Sequence, residues 1–342
     1  MIDKSISFVI PTLNASGTID KCIKSIASQN YPRNQIEILV IDGYSSDNTA
    51  QIAKEISKER NVNLRIYYNH DRTCEAGKQI GIMHTKNEII GLIDSDNILN
   101  DRNWIKKMVE PFNDPKIVGS EPLYFAYRRN DPLVTRYCAL LGANDPMCFY
   151  LGNYDRYSKL SNKWTGLDIP TKDKGSYIVA ELDAKNIPTI GANGFLFRKQ
   201  AYEHREHSKY FFDIDEVYKM IMKGYKKFAK VKIGIVHLYA ESLKIFIKKQ
   251  KRRILDYVYY NKKNIRVYPW ANNNSSKFKI CKFVIFSIIP IIPLIDAIRG
   301  YIKVKDVAWF FHPIACFLTV MIYTIYFIKG KFKTEIYNRG KW

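Results

Sequence analysis

Residues 36–49 read Ile-Glu-Ile-Leu-Val-Ile-Asp-Gly-Tyr-Ser-Ser-Asp-Asn-Thr. The first seven, Ile36 to Asp42, are apolar enough to be buried on both faces, as a strand inside a parallel sheet is. Gly43 to Thr49 then supplies turn and N-cap residues, and Thr49 to Ser57 is helical by period. Upstream, Ile6 to Pro11 reads as a strand. Thr18 to Ser28 follows it as a helix capped by Thr18 or Gly17, with Ile19, Cys22, Ile23, Ile26 and Ala27 at helical spacing. Downstream the alternation continues: strand Asn63 to Asn69, helix Glu75 to His84, strand Glu88 to Asp94, helix Asn103 to Phe112. Strands separated by single helices of this length predict right-handed β-α-β units and an α/β fold with a doubly wound parallel sheet.

Ligands of such sheets sit outside the carboxyl ends of the strands. Those ends carry Pro11-Thr12-Leu13-Asn14, Asp42-Gly43, Asn69-His70-Asp71 and Asp94-Ser95-Asp96. Neither Gly-x-Gly-x-x-Gly nor a phosphate loop ending in Gly-Lys-Ser/Thr occurs, which removes the usual dinucleotide and nucleoside-triphosphate cradles. Alternation along the strand end points Asp94 and Asp96 to one side, a set suited to a hard divalent cation (Mn²⁺ or Mg²⁺) shared with a diphosphate. The pattern alone is weak, since Asp213 and Asp215 repeat it; an ordinary Asp-x-Asp is a solvated turn. Asp42 and Asp71 can each accept the imide N–H of a base such as uracil; the plainer alternatives are an N-cap and a solvated loop. Gly77 and Lys78 are expected to open the next helix, where backbone N–H groups and an ammonium approach phosphate.

Phe8-Val-Ile-Pro-Thr-Leu-Asn14, Val40-Ile-Asp-Gly-Tyr-Ser-Ser-Asp-Asn-Thr49, Gly77-Lys-Gln-Ile-Gly81 and Ile93-Asp-Ser-Asp96, in this order and spacing, resemble the nucleotide-sugar half of family 2 glycosyltransferases with the GT-A fold. The likeness is dense over residues 5–110 and thinner to about residue 255. It implies a GT-A type, Rossmann-like sheet sandwich. Pro11, Asp42 and Asp71 would then line a nucleoside pocket, Asp94 would face ribose and diphosphate, and Asp96 would hold the metal.

Inverting glycosyl transfer needs a general base for the acceptor hydroxyl. Gly191-Ala-Asn-Gly-Phe-Leu-Phe-Arg198, Phe212-Asp-Ile-Asp-Glu-Val-Tyr218 and Gly224-Tyr225 resemble the family's acceptor region. Counted back from Gly224, Asp213 falls on the catalytic base, with Asp215 as second choice because Phe212 replaces the usual Glu. A cap for the helix Val217 to Lys223 is the alternative role. His237, after the strand Ile233 to Val236, is a candidate third metal ligand or a satisfied imidazole. Gln250-Lys-Arg-Arg253 matches part of a Gln-x-x-Arg-Trp motif, with Ile254 in place of Trp. Arg253 and its basic neighbours from Lys248 suit a diphosphate, acidic headgroups or only solvent. His204 and His207 share a helix face without a partner at zinc spacing. Tyr124, Tyr127, Tyr137, Tyr150, Tyr154 and Trp164, interleaved with arginines, suit sugar stacking or ordinary packing.

The chain's 342 residues include 54 Lys+Arg and 33 Asp+Glu, a formal net charge of +21. Residues 241–342 hold 20 of the basic and 5 of the acidic groups, so +15 of the charge lies there. Val307 to Ile328 contains no Asp, Glu, Lys or Arg and is long enough to cross about 30 Å of hydrocarbon. Cys281 to Ile298, with Pro290 and Pro293, reads as a kinked span, a re-entrant segment or an interfacial helix. As a span it would make a two-crossing hairpin, with Arg299 to Asp306 as a short outer loop and both ends in the cytoplasm. The mean hydropathy of −0.26 makes this membrane part an appendage. A nucleic-acid partner is disfavoured because the basic third contains the apolar runs. Met1-Ile2-Asp3-Lys4 predicts no secretory signal and hence a cytoplasmic N-terminal part. The six cysteines lack Cys-x-x-Cys spacing and are expected reduced.

The expected organisation is a nucleotide-sugar half (1–118), an acceptor half (119–270), a hinge at Asn272 to Ser276, membrane segments within 277–328 and a basic tail (329–342). The expected activity is an inverting, metal-dependent glycosyltransferase at the cytoplasmic membrane face. It would take a nucleotide-diphosphate sugar, UDP favoured, and a lipid-linked or glycan acceptor. A nucleotidyltransferase and a degenerate sugar-nucleotide-binding membrane protein are the competing readings.

Overall fold

A computed structural model describes residues 4–202, 208–269, 274–332 and 336–339. His204, His207, Asn272, Asn273, Lys333 and Lys341 lie outside the described residues. The chain forms two compact units. One holds Met1–Leu123, Ile169–His237 and Arg339–Trp342, the other Tyr124–Asp168 and Leu238–Asn338.

The first unit is built on a mixed sheet. Its strands are β1 (Ile6–Thr12), β2 (Ile36–Asp42), β3 (Leu64–Tyr68), β4 (Ile89–Leu92), β5 (Asn97–Ile98), β6 (Ile117–Phe125), β7 (Thr171–Asp173), β8 (Tyr177–Glu181), β9 (Phe195–Arg198) and β10 (Lys227–His237). Their order is β3-β2-β1-β4-β9-β6-β10-β8-β7, with β5 paired to β10. β1 runs parallel to β2 and β4, and β2 parallel to β3, as the alternation predicts. Beyond β4 the sheet is not parallel throughout: β9 pairs antiparallel with both β4 and β6, and β8 antiparallel with β10. Phe195-Leu-Phe197 is buried, so this segment of the supposed acceptor region also completes the sheet core.

The helices depart from their expected limits for local reasons. Residues 103–112 form a helix only over Trp104–Val109 and then a 3₁₀ turn, Glu110–Asn113, because Pro111 has no N–H to donate. The helix after β3 starts at Cys74, capped by Thr73 Oγ1, which accepts from Ala76 N–H at 3.2 Å. Thr18 makes no such side-chain cap. The Cys74–His84 helix lies close on the sheet: a Cβ on Gly81 would meet Val9 Cγ1 at 2.2 Å, and one on Gly77 would meet Pro11 Cβ at 2.9 Å.

The second unit is helical. Leu133–Leu141, Pro146–Leu151, Leu243–Lys262, Asn274–Ile288, Ile291–Lys303 and Phe311–Phe332 surround a core that includes Tyr137, Phe246, Trp309 and Phe311. His312 is fully buried, with Tyr137 Oη 2.8 Å from Nδ1 and Tyr150 Oη 3.1 Å from Nε2. Tyr150 also donates to Asp296 at 3.0 Å, so one polar chain ties the last helix to three others.

Val307–Phe332 is long and apolar enough to cross a membrane. The expected first segment, 281–298, is bent, in keeping with its prolines: Ser276–Ile288 and Ile291–Lys303 meet at 83°, at Pro290. Of residues 299–306, expected as an outer loop, 299–303 end the helix Ile291–Lys303, and Lys303 and Asp306 are tied into the same unit. Lys303 donates to Leu160 O at 2.6 Å, Tyr127 Oη to Asp306 at 2.5 Å, and Arg136 lies 3.3 Å from Asp306. At the helix's other end Lys262 donates to Gly330 O at 3.0 Å.

Candidate active site

Asp94 and Asp96 lie past the end of β4, in a turn, and not on the strand itself. The turn brings them together, not strand alternation. Asn97 N–H donates to Asp94 O at 2.9 Å, and Asn97 Oδ1 accepts from Asp94 N–H at 3.0 Å. Ser95 is half-buried at the turn. β5 then pairs antiparallel with the end of β10, setting His237 opposite Asn97. Ligand atoms of Asp94, Asp96 and His237 consequently fall within 4.8 Å of one another, with His237 Nε2 3.4 Å from Asp96 Oδ1. Two carboxylates and one imidazole are donors that divalent Mn²⁺ accepts, and so close a set of acids is eased by a cation. Beneath the turn, burial first and then the two carboxylates push the Cys22 thiol well above its ordinary value, so it stays a neutral thiol.

Asp42 is buried at the end of β2 and accepts from Ser45 N–H and from Ser45 Oγ at 2.5 Å. It thus closes a turn and does not cap the next helix, whose N-cap is Asn48, and further acceptor capacity is left on the carboxylate. Thr12 is buried, and its Oγ1 makes no hydrogen bond to the described residues. Asn14, at φ 49°, accepts from Ser46 N–H at 2.8 Å. Asp71 sits on the loop after β3, 3.1 Å from Lys209.

The sequence reading missed what links these two loops. Arg72 donates from Nε to Gly43 O at 2.9 Å and from a terminal nitrogen to Tyr44 O at 3.0 Å. Tyr44 is exposed, stands 4.6 Å from His70 ring to ring, and bonds it at 2.8 Å. An exposed Tyr after Asp-Gly is the one signal that a flat apolar surface accompanies the carboxylates.

Gly77 and Lys78 are not at a helix opening; they lie within Cys74–His84, both buried. Gly77 serves the close approach to Pro11. The Lys78 ammonium reaches Asp213, 2.7 and 2.8 Å from its two carboxylate oxygens. Asp213 begins the helix Asp213–Met222, and Asp215 and Glu216 in the same turn are almost fully buried. Burial pushes the Asp213 carboxyl up to about 7, against the pull of Lys78. Although burial disfavours its charge, the Asp213 carboxylate holds Lys78 above the ordinary lysine value.

Arg253 lies in the second unit, on Leu243–Lys262. It donates to Gln250 Oε1 at 2.6 Å and stands 3.3 Å from Asp145, while Tyr323 donates to both Asp145 and Gln250. Its described partners thus belong to a structural network in that unit.

The model for glycosyl transferase family 2 matches residues 7–204. One similar protein is the dolichyl N-acetyl-alpha-D-glucosaminyl phosphate 3-beta-D-2,3-diacetamido-2,3-dideoxy-beta-D-glucuronosyltransferase of Methanococcus voltae, 31% identical over 33% of this chain and 37% of that protein. Another is glycosyltransferase AglE of Haloferax volcanii, 28% identical over 39% of this chain and 43% of the relative. The chain thus spans less than half the length of these curated relatives. Among solved structures, a mannosyltransferase from Pyrobaculum calidifontis in complex with GDP-Man and Mn²⁺ aligns with TM-score 0.56 and 15% identity, over 97% of this chain and 89% of that one. That likeness extends the fold assignment to the parts beyond the family match. With the family model covering more than half of its residues, the chain belongs to glycosyl transferase family 2.

Proposed function

We propose that the chain is an inverting glycosyltransferase that uses a nucleotide-diphosphate sugar, with UDP as the favoured nucleotide. The observation that carries this reading is the grouping of Asp94, Asp96 and His237 in the unit that also holds the Lys78–Asp213 pair. Asp42 and Asp71 accept from the base, Pro11, Thr12 and Asn14 line the nucleoside, and Gly77 and Ser95 shape the walls. A divalent cation, Mn²⁺ or Mg²⁺, would be held by Asp94, Asp96 and His237 and would neutralise diphosphate charge. One fold neighbour, the Pyrobaculum calidifontis mannosyltransferase, is in complex with Mn²⁺, which agrees with this donor set.

Asp213 takes the proton of the acceptor hydroxyl as that oxygen bonds to the anomeric carbon. The carbon–oxygen bond to the diphosphate breaks, and its electron pair leaves with the diphosphate. One displacement inverts the anomeric centre. Lys78 favours the ionised form of Asp213 against the effect of burial, and Asp215 supports the helix on which the base stands.

The acceptor is proposed to be lipid-linked or a growing glycan, with the enzyme on the cytoplasmic face of the cell membrane. Supporting this, Ile291, Ile298 and Ile302 on one helix and Ile314, Phe317 and Ile328 on the last are exposed apolar side chains beside a strongly basic chain segment. Arg253, expected from the sequence at the diphosphate, is held by Gln250 and Asp145 within the helical unit. The Methanococcus voltae relative bears a dolichyl phosphate acceptor in its name, which agrees with a lipid carrier. Incubation of the purified chain with UDP-glucose, UDP-N-acetylglucosamine and GDP-mannose, with Mn²⁺ or EDTA, tests the reading through release of nucleoside diphosphate. Mn²⁺-dependent release from one of them is expected; preferential turnover of a nucleoside triphosphate would refute it.

A further inference from the structure

Glu121 and Lys230 form an ion pair at 2.8 Å in the interior of the sheet, with side chains 0% and 1% exposed. Such a pair is costly to desolvate, and apolar residues of similar volume often serve the fold as well. Its second contact gives the carboxylate a more specific task. Glu121 Oε1 accepts the N–H of Gly191 at 3.2 Å. Gly191 has φ +114°, a conformation that L side chains rarely adopt, and it lies directly against the first residue of helix Asp213–Met222. A Cβ on it would come within 2.7 Å of Asp213 Cβ and 3.1 Å of Asp213 Cα.

The same loop reaches the carboxylate turn. Two residues on, Asn193 Oδ1 accepts from Asn97 Nδ2 at 3.0 Å, and Asn97 in turn holds Asp94 N–H. Gly194 N–H donates to Leu92 O at 2.9 Å, fixing the loop's end on β4. Residues 191–194 therefore touch both the turn of Asp94 and the backbone of Asp213. Glu121 anchors the end of the loop that meets Asp213.

We propose that Glu121, oriented by Lys230, is a positioning residue for catalysis: by accepting Gly191 N–H it fixes the loop against which Asp213 is set. The proposal rests on the reading of Asp213 as general base. Glu121 touches neither sugar nor proton, and it acts through the placement of the base. A displacement of about 1 Å at a reacting group costs on the order of 10²-fold in rate.

Two double variants separate the hydrogen bond from the ion pair. Glu121→Gln with Lys230→Met removes both charges but retains an oxygen for Gly191 N–H. Glu121→Leu with Lys230→Met removes that oxygen as well. Release of nucleoside diphosphate from the sugar nucleotide that the wild-type chain turns over is measured for each, with the melting temperature. The Leu variant is expected to lose kcat on the order of 10²-fold with donor KM within about threefold, and the Gln variant to recover most of it. Equal kcat in the two variants overturns the proposal, whether both are active or both impaired.

Should either double variant fail to fold, Glu121→Asp keeps the charge facing Lys230 and shortens its reach to Gly191. There kcat is expected to fall about tenfold, a fraction of that cost, at an unchanged donor KM, and unchanged kcat overturns the proposal. Asp213→Asn in the otherwise unaltered chain is the control for the underlying reading. Full turnover there removes Asp213 as the base without reference to Glu121.

Discussion

Lys78 and Asp213, 135 residues apart in sequence, meet as a two-pronged ion pair, with Nζ 2.7 Å from Oδ1 and 2.8 Å from Oδ2. The lysine side chain is 5% exposed and the aspartate 25%, so the cation is the more deeply enclosed partner. Part of the Asp213 side chain therefore stays exposed.

This pair sets a pH dependence. Burial raises the Asp213 carboxyl to about 7 and Lys78 opposes the rise. A base works only when ionised, so kcat is expected to be half-maximal near pH 7, to level off about one unit above it and to fall towards tenfold per unit below it. Lys78→Met removes the opposing ammonium and should move that acid limb to higher pH. A kcat–pH profile of both proteins checks it; an acid limb that stays in place would detach Lys78 from the base.

The two aspartates of helix Asp213–Met222 should separate cleanly. Asp213→Asn is nearly isosteric and is expected to retain donor binding while losing kcat by about 10²–10⁴-fold. Asp215→Asn alters a carboxylate that is 1% exposed, in the first turn, where the helix dipole favours negative charge. Its effect should appear as a lower melting temperature, with kcat of the folded protein within about threefold, a span too small for loss of a positioned base. Steady-state kinetics beside calorimetric melting distinguishes the two, and the opposite order would exchange their roles.

The parallel half of the sheet was legible because Ile36 to Asp42 and its neighbours are buried on both faces, which leaves a long apolar signature. The antiparallel continuation was hidden: Phe195 to Arg198 is four residues long, and nothing local in it tells which strand it will join. For the site, Asp94, Asp96 and His237 were each named from sequence. The pairing of β5 with β10 that unites them depends on a two-residue strand too short to read. Lys78 was assigned to phosphate because its buried partner stands 135 residues away. Glu121 offered no signal, since a Glu in an apolar strand looks like a surface position until its lysine is seen.

The proposed membrane attachment carries its own expectation. Both ends of Val307–Phe332 are tied to residues that precede the apolar segments, Asp306 to Tyr127 and Arg136, and Gly330 to Lys262. A single cysteine at Lys303 or at Lys331, in a background without the native six, should be protected from an impermeant reagent added to intact cells. Labelling at Lys303 alone would establish the two-crossing hairpin, and labelling at Lys331 would place the tail outside.

Asp94, Asp96 and His237 are proposed to build a metal-assisted sugar-nucleotide site. Its most direct test is calorimetric titration of the full chain with UDP, with and without Mn²⁺, for wild type and for Asp96→Ala and His237→Ala. UDP is expected to bind the wild type at least about tenfold more tightly with Mn²⁺, a coupling of about 1.4 kcal/mol. That gain should vanish in Asp96→Ala and shrink in His237→Ala while the melting temperatures stay close to wild type. UDP affinity indifferent to Mn²⁺ in the wild type, or a gain that persists undiminished in Asp96→Ala, would contradict the account.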